Sequence, residues 1–251
     1  MKNYTWINSS YMHVQNQLLE IPENFERYEF LIPFSQKPAV RKVKILGGGI
    51  DLVVKAFKFP QNPIPLRRRL KPNQGYKGAI HSKNIAIILK KRFFLVPEPI
   101  ACLEFQKSRG NYQSYYVSRF WEANLNVKQV FRLMHDPKLI NHEKFLKEFA
   151  YTIFCQHKCG IFHYDLNPGN ILVNENDGIF NIAFIDFDQC RKKILKTEKR
   201  IMKSLIEISR FAHVVKFIGM EYAKLHGAET DIFIKKLEIL HRKRKILGNS
   251  R

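Results

Sequence analysis

The sequence predicts an α+β fold in two lobes, a small β-rich N-terminal lobe joined to a helical C-terminal lobe. Three observations carry this. Alternating and β-branched runs crowd the first part of the chain, apolar residues at helical spacing dominate the second, and two short apolar strands interrupt the helical part around a polar loop. The change of pattern near Trp121 gives an N-terminal lobe over 1–121 and a C-terminal lobe over 122–251.

Arg41 to Leu46 alternates basic and apolar side chains, Gly47-Gly48-Gly49 supplies a turn, and Asp51 to Lys58 is a second, β-branched strand. Pro60, Pro63 and Pro65 then break the pattern. Tyr76 to Arg92 reads as the one helix of this lobe, with Pro97 and Pro99 as stops. Ile100 to Gln106 and Tyr112 to Trp121 read as strands across a hairpin loop at Ser108-Arg109-Gly110-Asn111. In the second lobe, His142 to Lys158 places Leu146, Phe149, Ile153 and His157 on one helical face. Ile171 to Val173 and Ile182 to Ile185 are the short strands. Helical spacing returns over about Glu198 to Phe217 and Asp231 to Arg244.

Hydrophobic residues at 45% and aromatics at 13% of 251 residues exclude a disordered chain. The 43 basic against 22 acidic residues give a net charge of +21, which predicts attraction to polyanions. The excess is uneven. Leu52 to Pro97 holds eleven Lys and Arg and no acid, and the chain beyond Gln189 holds seventeen basic against six acidic residues. The opening residues lack the apolar core of a signal peptide, and no apolar run is long enough to span a membrane. Four cysteines are too few for a disulfide framework, so a reducing, cytoplasmic setting is expected.

The chemistry is concentrated in His163-Tyr164-Asp165-Leu166-Asn167-Pro168-Gly169-Asn170, followed by the strand Ile171-Leu172-Val173. This matches the kinase catalytic-loop pattern H-x-D-x-x-x-x-N. Sixteen residues beyond Asn170, Asp186 closes the second apolar strand, where a metal-binding Asp would stand. Magnesium with ATP seeks hard oxygen ligands, which Asn170 and Asp186 can supply. Asp165 can orient the acceptor hydroxyl, and His163 belongs to the loop as a brace. Val53-Val54-Lys55-Ala56 resembles the strand that carries a nucleotide lysine, which makes Lys55 the candidate and Lys58 the second. Cys155, His157, Cys159 and His163 could be read as a zinc set. The first three, however, lie on one helix at a spacing unusual for structural zinc, so helix packing is the expectation for them. Neither phosphate-cradling glycine pattern is present at Gly47-Gly48-Gly49.

With these residues in view, the chain resembles the lipopolysaccharide kinase family, whose members have a protein-kinase-like fold and phosphorylate Kdo or heptose of the lipopolysaccharide inner core. The likeness runs through LVVKAFKFP, VPEPIA, SYYVSRF, GIFHYDLNPGNILV and FIDFDQCR, and into the C-terminal EYAKL and HRKRK. It implies ATP and Mg2+, Asp165 as catalytic residue, Asn170 and Asp186 as metal ligands, and Lys55 on the nucleotide. It also implies a phosphorylated, lipid-anchored glycan acceptor and peripheral contact with an anionic inner membrane. Nucleic-acid motifs are lacking. The sequence leaves the oligomeric state open. Asn167 stands where protein kinases usually carry Lys, which leans toward a glycan or small-molecule acceptor, and Asp188 replaces the Gly of D-F-G. The predicted helix over 76–92 holds no acid to pair with Lys55, and the glycine-rich nucleotide loop is unrecognisable, with Pro33 to Ala39 as the candidate to replace it. Two alternatives therefore stand beside the sugar kinase: an atypical small-molecule or protein kinase, and a pseudokinase that binds polyanions through its basic surface.

Overall fold

The computed structural model describes residues 4–30, 40–45, 49–58, 78–108, 111–133 and 141–248. The proline-rich break at 60–65, the arginines at 67–69, Gly47-Gly48 and the segment 33–39 lie outside the described residues. The chain divides into two compact units, one made of Met1–Ile88 with Pro97–Glu122, the other of Leu89–Val96 with Ala123–Arg251. No helix among the described residues is long and apolar enough to cross a membrane.

The first unit is built on an antiparallel sheet of β1 (Tyr4–Ile7), β2 (Glu29–Phe30), β3 (Val40–Ile45), β4 (Ile50–Lys58), β5 (Pro99–Ser108) and β6 (Asn111–Arg119). Their order is β1-β5-β6-β4-β3-β2. Alternation sets its faces. Leu52 and Val54 of β4, Val43 and Ile45 of β3 and Val117 of β6 turn to one side. There they join Leu18, Ile21 and Phe25 from the short helical turns of residues 9–27 in one core. Those turns form a helical layer that the strand pattern of the sequence does not predict. The other face carries Lys55, whose cross-strand partner is Tyr116, and in turn Cys102 and Glu104 on β5.

Helix α1 (Ala79–Lys90) is shorter than the predicted 76–92. Its N-terminus is fixed by the sheet: the Ser114 hydroxyl accepts from the Ala79 N–H at 2.8 Å and donates to Glu104 Oε1 at 2.9 Å. The same carboxylate accepts from the Ile80 N–H at 3.2 Å. A buried anion at a helix N-terminus offsets the unpaired amides there.

The second unit holds α2 (Val127–Leu133), α3 (His142–Lys158), α4 (Glu198–Leu205), α5 (Ala212–His226) and α6 (Thr230–Gly248). Between α3 and α4 lie β8 (Ile161–His163), β9 (Ile171–Asn176), β10 (Ile179–Phe184) and β11 (Cys190–Lys192). With β7 (Leu125–Asn126) they form a three-stranded sheet ordered β10-β9-β7 and a two-stranded β11-β8 ribbon, both antiparallel. Phe145, Phe149 and Ile153 of α3 are fully buried, as the helical periodicity requires. Asn141 caps this helix by accepting from the Lys144 N–H.

The single helix expected over 198–217 is two. Ile206 to Phe211 breaks it, with the Ser209 hydroxyl accepting from the Phe211 N–H at 3.0 Å in place of a helical bond. Carbonyls freed by the break are taken up from α6: His241 Nε2 meets Ser209 O at 3.0 Å, and Arg244 donates to Ile206 O at 2.6 Å. Part of the basic C-terminal stretch is thus structural.

Candidate active site

All of the loop residues singled out above, together with Asp186, lie in the second unit. Strand β8 delivers His163 into a fully buried position, and the chain then turns so that Asp165 is half-buried at its end. The turn is stapled by the imidazole of His163. Its Nδ1 accepts from the Asp165 N–H at 3.3 Å, so the proton resides on Nε2, which donates to Ile185 O at 3.4 Å. Burial holds this ring's pKa below the usual histidine value, in keeping with a neutral staple. One side chain therefore ties the backbone at Asp165 to the residue before Asp186.

Asn170 closes the same loop. Its Nδ2 donates to Asp165 O at 3.2 Å, its own carbonyl accepts from the Ile185 N–H at 2.9 Å, and its N–H donates to Asn167 O at 2.8 Å. The bond to Ile185 extends the β9–β10 ladder by one step beyond the Ile171–Phe184 pair. Asn170 and Asp186 thus emerge from neighbouring strand ends. Asp186 has φ 61° and ψ 72°, a left-handed conformation that costs a non-glycine residue about 1 kcal/mol or more. Backbone strain of this kind is held only where the surroundings fix it, here by β10 before and the Phe187–Gln189 turn after.

The electrostatics gather the acids around two buried groups. Burial pushes the Cys190 thiol well up, and the charges of Asp186, Asp188 and Asp165 push it further, against Arg191. Asp186 and Asp165 also act on His163. Glu207, which burial raises above the usual carboxylate range, is lowered by Arg244 and raised by Asp165. The charges of Asp165 and Asp186 thus both bear on His163 and Cys190.

Behind the loop runs a buried polar chain that sequence reasoning missed. The Ser204 hydroxyl donates to His163 O at 3.0 Å and meets His157 Nε2 at 3.1 Å, and His157 Nδ1 meets the Tyr222 hydroxyl at 3.0 Å. With the Ser204 proton on the His163 carbonyl, His157 must donate from Nε2 and accept from Tyr222 at Nδ1. Burial pulls the His157 pKa down to about 3. Both nitrogens of this histidine are engaged in packing the loop, the role expected of it over zinc binding. The only sequence signal for the chain was a histidine on an otherwise apolar helical face.

The donor set at the strand ends fits a hard divalent cation. The Asn170 amide nitrogen is engaged by the loop, so its oxygen is what it can offer, and the Asp186 carboxylate stands on the adjacent strand end. Magnesium takes few protein ligands beside phosphates and water. Lys55 lies in the first unit on β4, half-buried, with Nζ 5.2 Å from the Phe57 ring centre. Across from it, the buried Tyr116 hydroxyl has no hydrogen-bond partner among the described residues. Helix α1 carries no acid. Among the described strands Glu29, Asp51 and Glu104 are the acids that share the Lys55 sheet face, and Asp51 is paired with Lys42 at 2.8 Å.

Residues 78–228 match the model of the lipopolysaccharide kinase (Kdo/WaaP) family. The chain belongs to that family. Among its relatives, a 3-deoxy-D-manno-octulosonic acid kinase of Vibrio parahaemolyticus serotype O3:K6 is 33% identical over 98 residues, covering 39% of this chain and 37% of that protein. The mitogen-activated protein kinase HOG1 of Eremothecium gossypii is 30% identical over 134 residues, covering 51% of this chain and 28% of HOG1. The chain thus spans well under half the length of the curated relatives it matches. The solved structure of WaaP in complex with acyl carrier protein superposes with a TM-score of 0.64 at 12% identity, over 97% of this chain and 99% of that one. At that identity the likeness concerns the fold, which is α+β and protein-kinase-like.

Proposed function

We propose that this member of the Kdo/WaaP family transfers the γ-phosphoryl group of ATP to a sugar hydroxyl, Kdo or heptose, of the lipopolysaccharide inner core. The observation that carries the reading is the stapled loop, in which His163 and Asn170 tie the backbone of Asp165 to that of Ile185, the residue before Asp186. Asp165 takes the role of orienting the acceptor hydroxyl and accepting its proton as the new O–P bond forms, while the bond from the γ-phosphorus to the β–γ bridging oxygen breaks and ADP leaves. Asn170 Oδ1 and the Asp186 carboxylate would hold magnesium, which neutralises charge on the phosphates. Lys55 is assigned to the nucleotide phosphates and His163 to bracing. Asn167, whose side chain accepts from the Gly169 N–H at 3.0 Å, shapes the loop and brings no cation toward the acceptor. That supports a glycan over a protein substrate. A cytoplasmic position peripheral to the anionic inner membrane completes the proposal, supported by the net charge of +21.

The test is transfer of label from γ-labelled ATP to core oligosaccharide with magnesium. Wild type should label the glycan and Asp165→Asn should lose roughly 100-fold or more of the rate. Equal labelling by both proteins rejects the assignment. The likeness to a mitogen-activated protein kinase favours a second reading, a protein acceptor; label on added protein and none on glycan would establish it.

A further inference from the structure

The stretch from Arg191 to Lys203 holds seven basic residues and one acid. Within it Ile194 and Leu195 are 92% and 67% exposed, an aliphatic pair in solvent beside Lys192, Lys193 and Lys196. A single exposed apolar residue needs no explanation. Here the backbone holds the pair outward from both sides. The Lys193 N–H donates to Gly160 O at 2.7 Å, and a Cβ at Gly160 would lie 2.6 Å from Lys193 O, so the two backbones touch. After the pair, the Arg200 guanidinium binds Leu195 O. The charge is not consumed internally. Glu198 pairs with Lys236 at 3.0 Å, and among the described residues Lys192, Lys193, Lys196, Lys199 and Lys203 enter no ion pair.

We infer that this loop docks the protein on an anionic bilayer, with Ile194 and Leu195 entering the boundary between headgroups and acyl chains and the lysines lying among lipid phosphates. Apolar burial and electrostatic attraction are the two contributions that hold peripheral proteins on membranes. An acidic protein would answer the charges but would need a pocket shaped for two branched side chains, whereas a fluid bilayer needs none. A nucleic acid would answer the charges and leave the aliphatic pair in water, and the stretch has no aromatic residue on which a base could stack. The inference gives residues to the membrane contact in the proposed function and rests on that part of it alone. The loop also continues β11, which pairs with β8 so that Lys192 faces Ile161. Asp165 follows Ile161 by four residues, at most roughly 14 Å along the chain. A lipid-anchored acceptor would thus meet the catalytic loop close to where the protein meets the lipid.

Cosedimentation of the full chain with vesicles of phosphatidylcholine, alone or mixed with phosphatidylglycerol, tests this. Wild type should bind the anionic vesicles, and more weakly as salt rises. The double variant Ile194→Asp, Leu195→Asp should bind them at least roughly tenfold more weakly. Lys192→Gln, Lys193→Gln, Lys196→Gln should lose both affinity and salt dependence. All these side chains are exposed or half-exposed, so thermal melting should match wild type. Binding that needs the lysines but not the aliphatic pair would mark a general polyanion surface and overturn the inference. Vesicle binding unchanged in both variants would place the contact elsewhere on the protein and leave peripheral attachment standing. No vesicle binding by wild type would remove both.

Discussion

Lowering the pH from 7 to 5 should weaken the second unit through His157, and the size of the effect follows from its surroundings. This imidazole is buried, with Tyr222 and Ser204 on its two nitrogens, and its pKa falls from an ordinary 6.5 to about 3. In the unfolded chain the ring protonates as pH falls through 6.5, while in the folded protein it stays neutral until about 3. The neutral ring therefore contributes its full share of stability above pH 6.5 and loses it progressively between those values. One such group gives a slope near 1.4 kcal/mol per pH unit, or about 2 kcal/mol between pH 7 and pH 5. With a urea m-value of about 2 kcal/mol per molar, the midpoint should fall by about 1 M from this histidine alone. His157→Gln removes the titration while keeping an N–H donor for Ser204. The assay is urea unfolding followed by near-ultraviolet circular dichroism at pH 7, 6 and 5. Wild type should lose about 2 kcal/mol more than the variant over that range. Parallel pH dependences would refute a buried, neutral His157.

Ser204→Ala should cost about 2–4 kcal/mol, since it leaves the His163 carbonyl and the His157 N–H buried without a partner; thermal or urea melting measures this. Gly160→Ala combines φ +76° with a 2.6 Å approach to the Lys193 carbonyl, so a loss of about 2 kcal/mol or more is expected in the same measurement. Asp186→Gly relieves the left-handed strain and should raise the unfolding midpoint by an amount equivalent to about 1 kcal/mol while abolishing transfer. A variant both less stable and fully active would contradict the role given to Asp186 and the strain argument together.

Much of the fold was legible because its signals are local. His142 to Lys158 is helical over the limits its apolar spacing indicated, and β4 begins one residue from the β-branched run that announced it. What escaped depends on tertiary partners. The helical turns at 9–27 are too short for periodicity and hold their shape by burying Leu18, Ile21 and Phe25 under the sheet. The break after Leu205 is stabilised by His241 and Arg244, more than thirty residues away. One signal was present and unread: Asp177-Gly178, with φ 52° and 74°, is the two-residue turn that joins β9 to β10. In the site, residue types and spacing pointed to Asp165, Asn170 and Asp186. The bonds among their backbones depend on which strands pair, and no spacing reveals that Ser204, His157 and Tyr222 stand behind the loop.

If Asp165 and Asp186 act as one site, transfer rates in Asp165→Asn, Asp186→Asn and the double variant will reveal it. Residues that serve a single transition state lose activity together, so the double variant should be no more than a few-fold slower than the slower single variant. Losses that multiply would mean that the two carboxylates act independently and do not form one site.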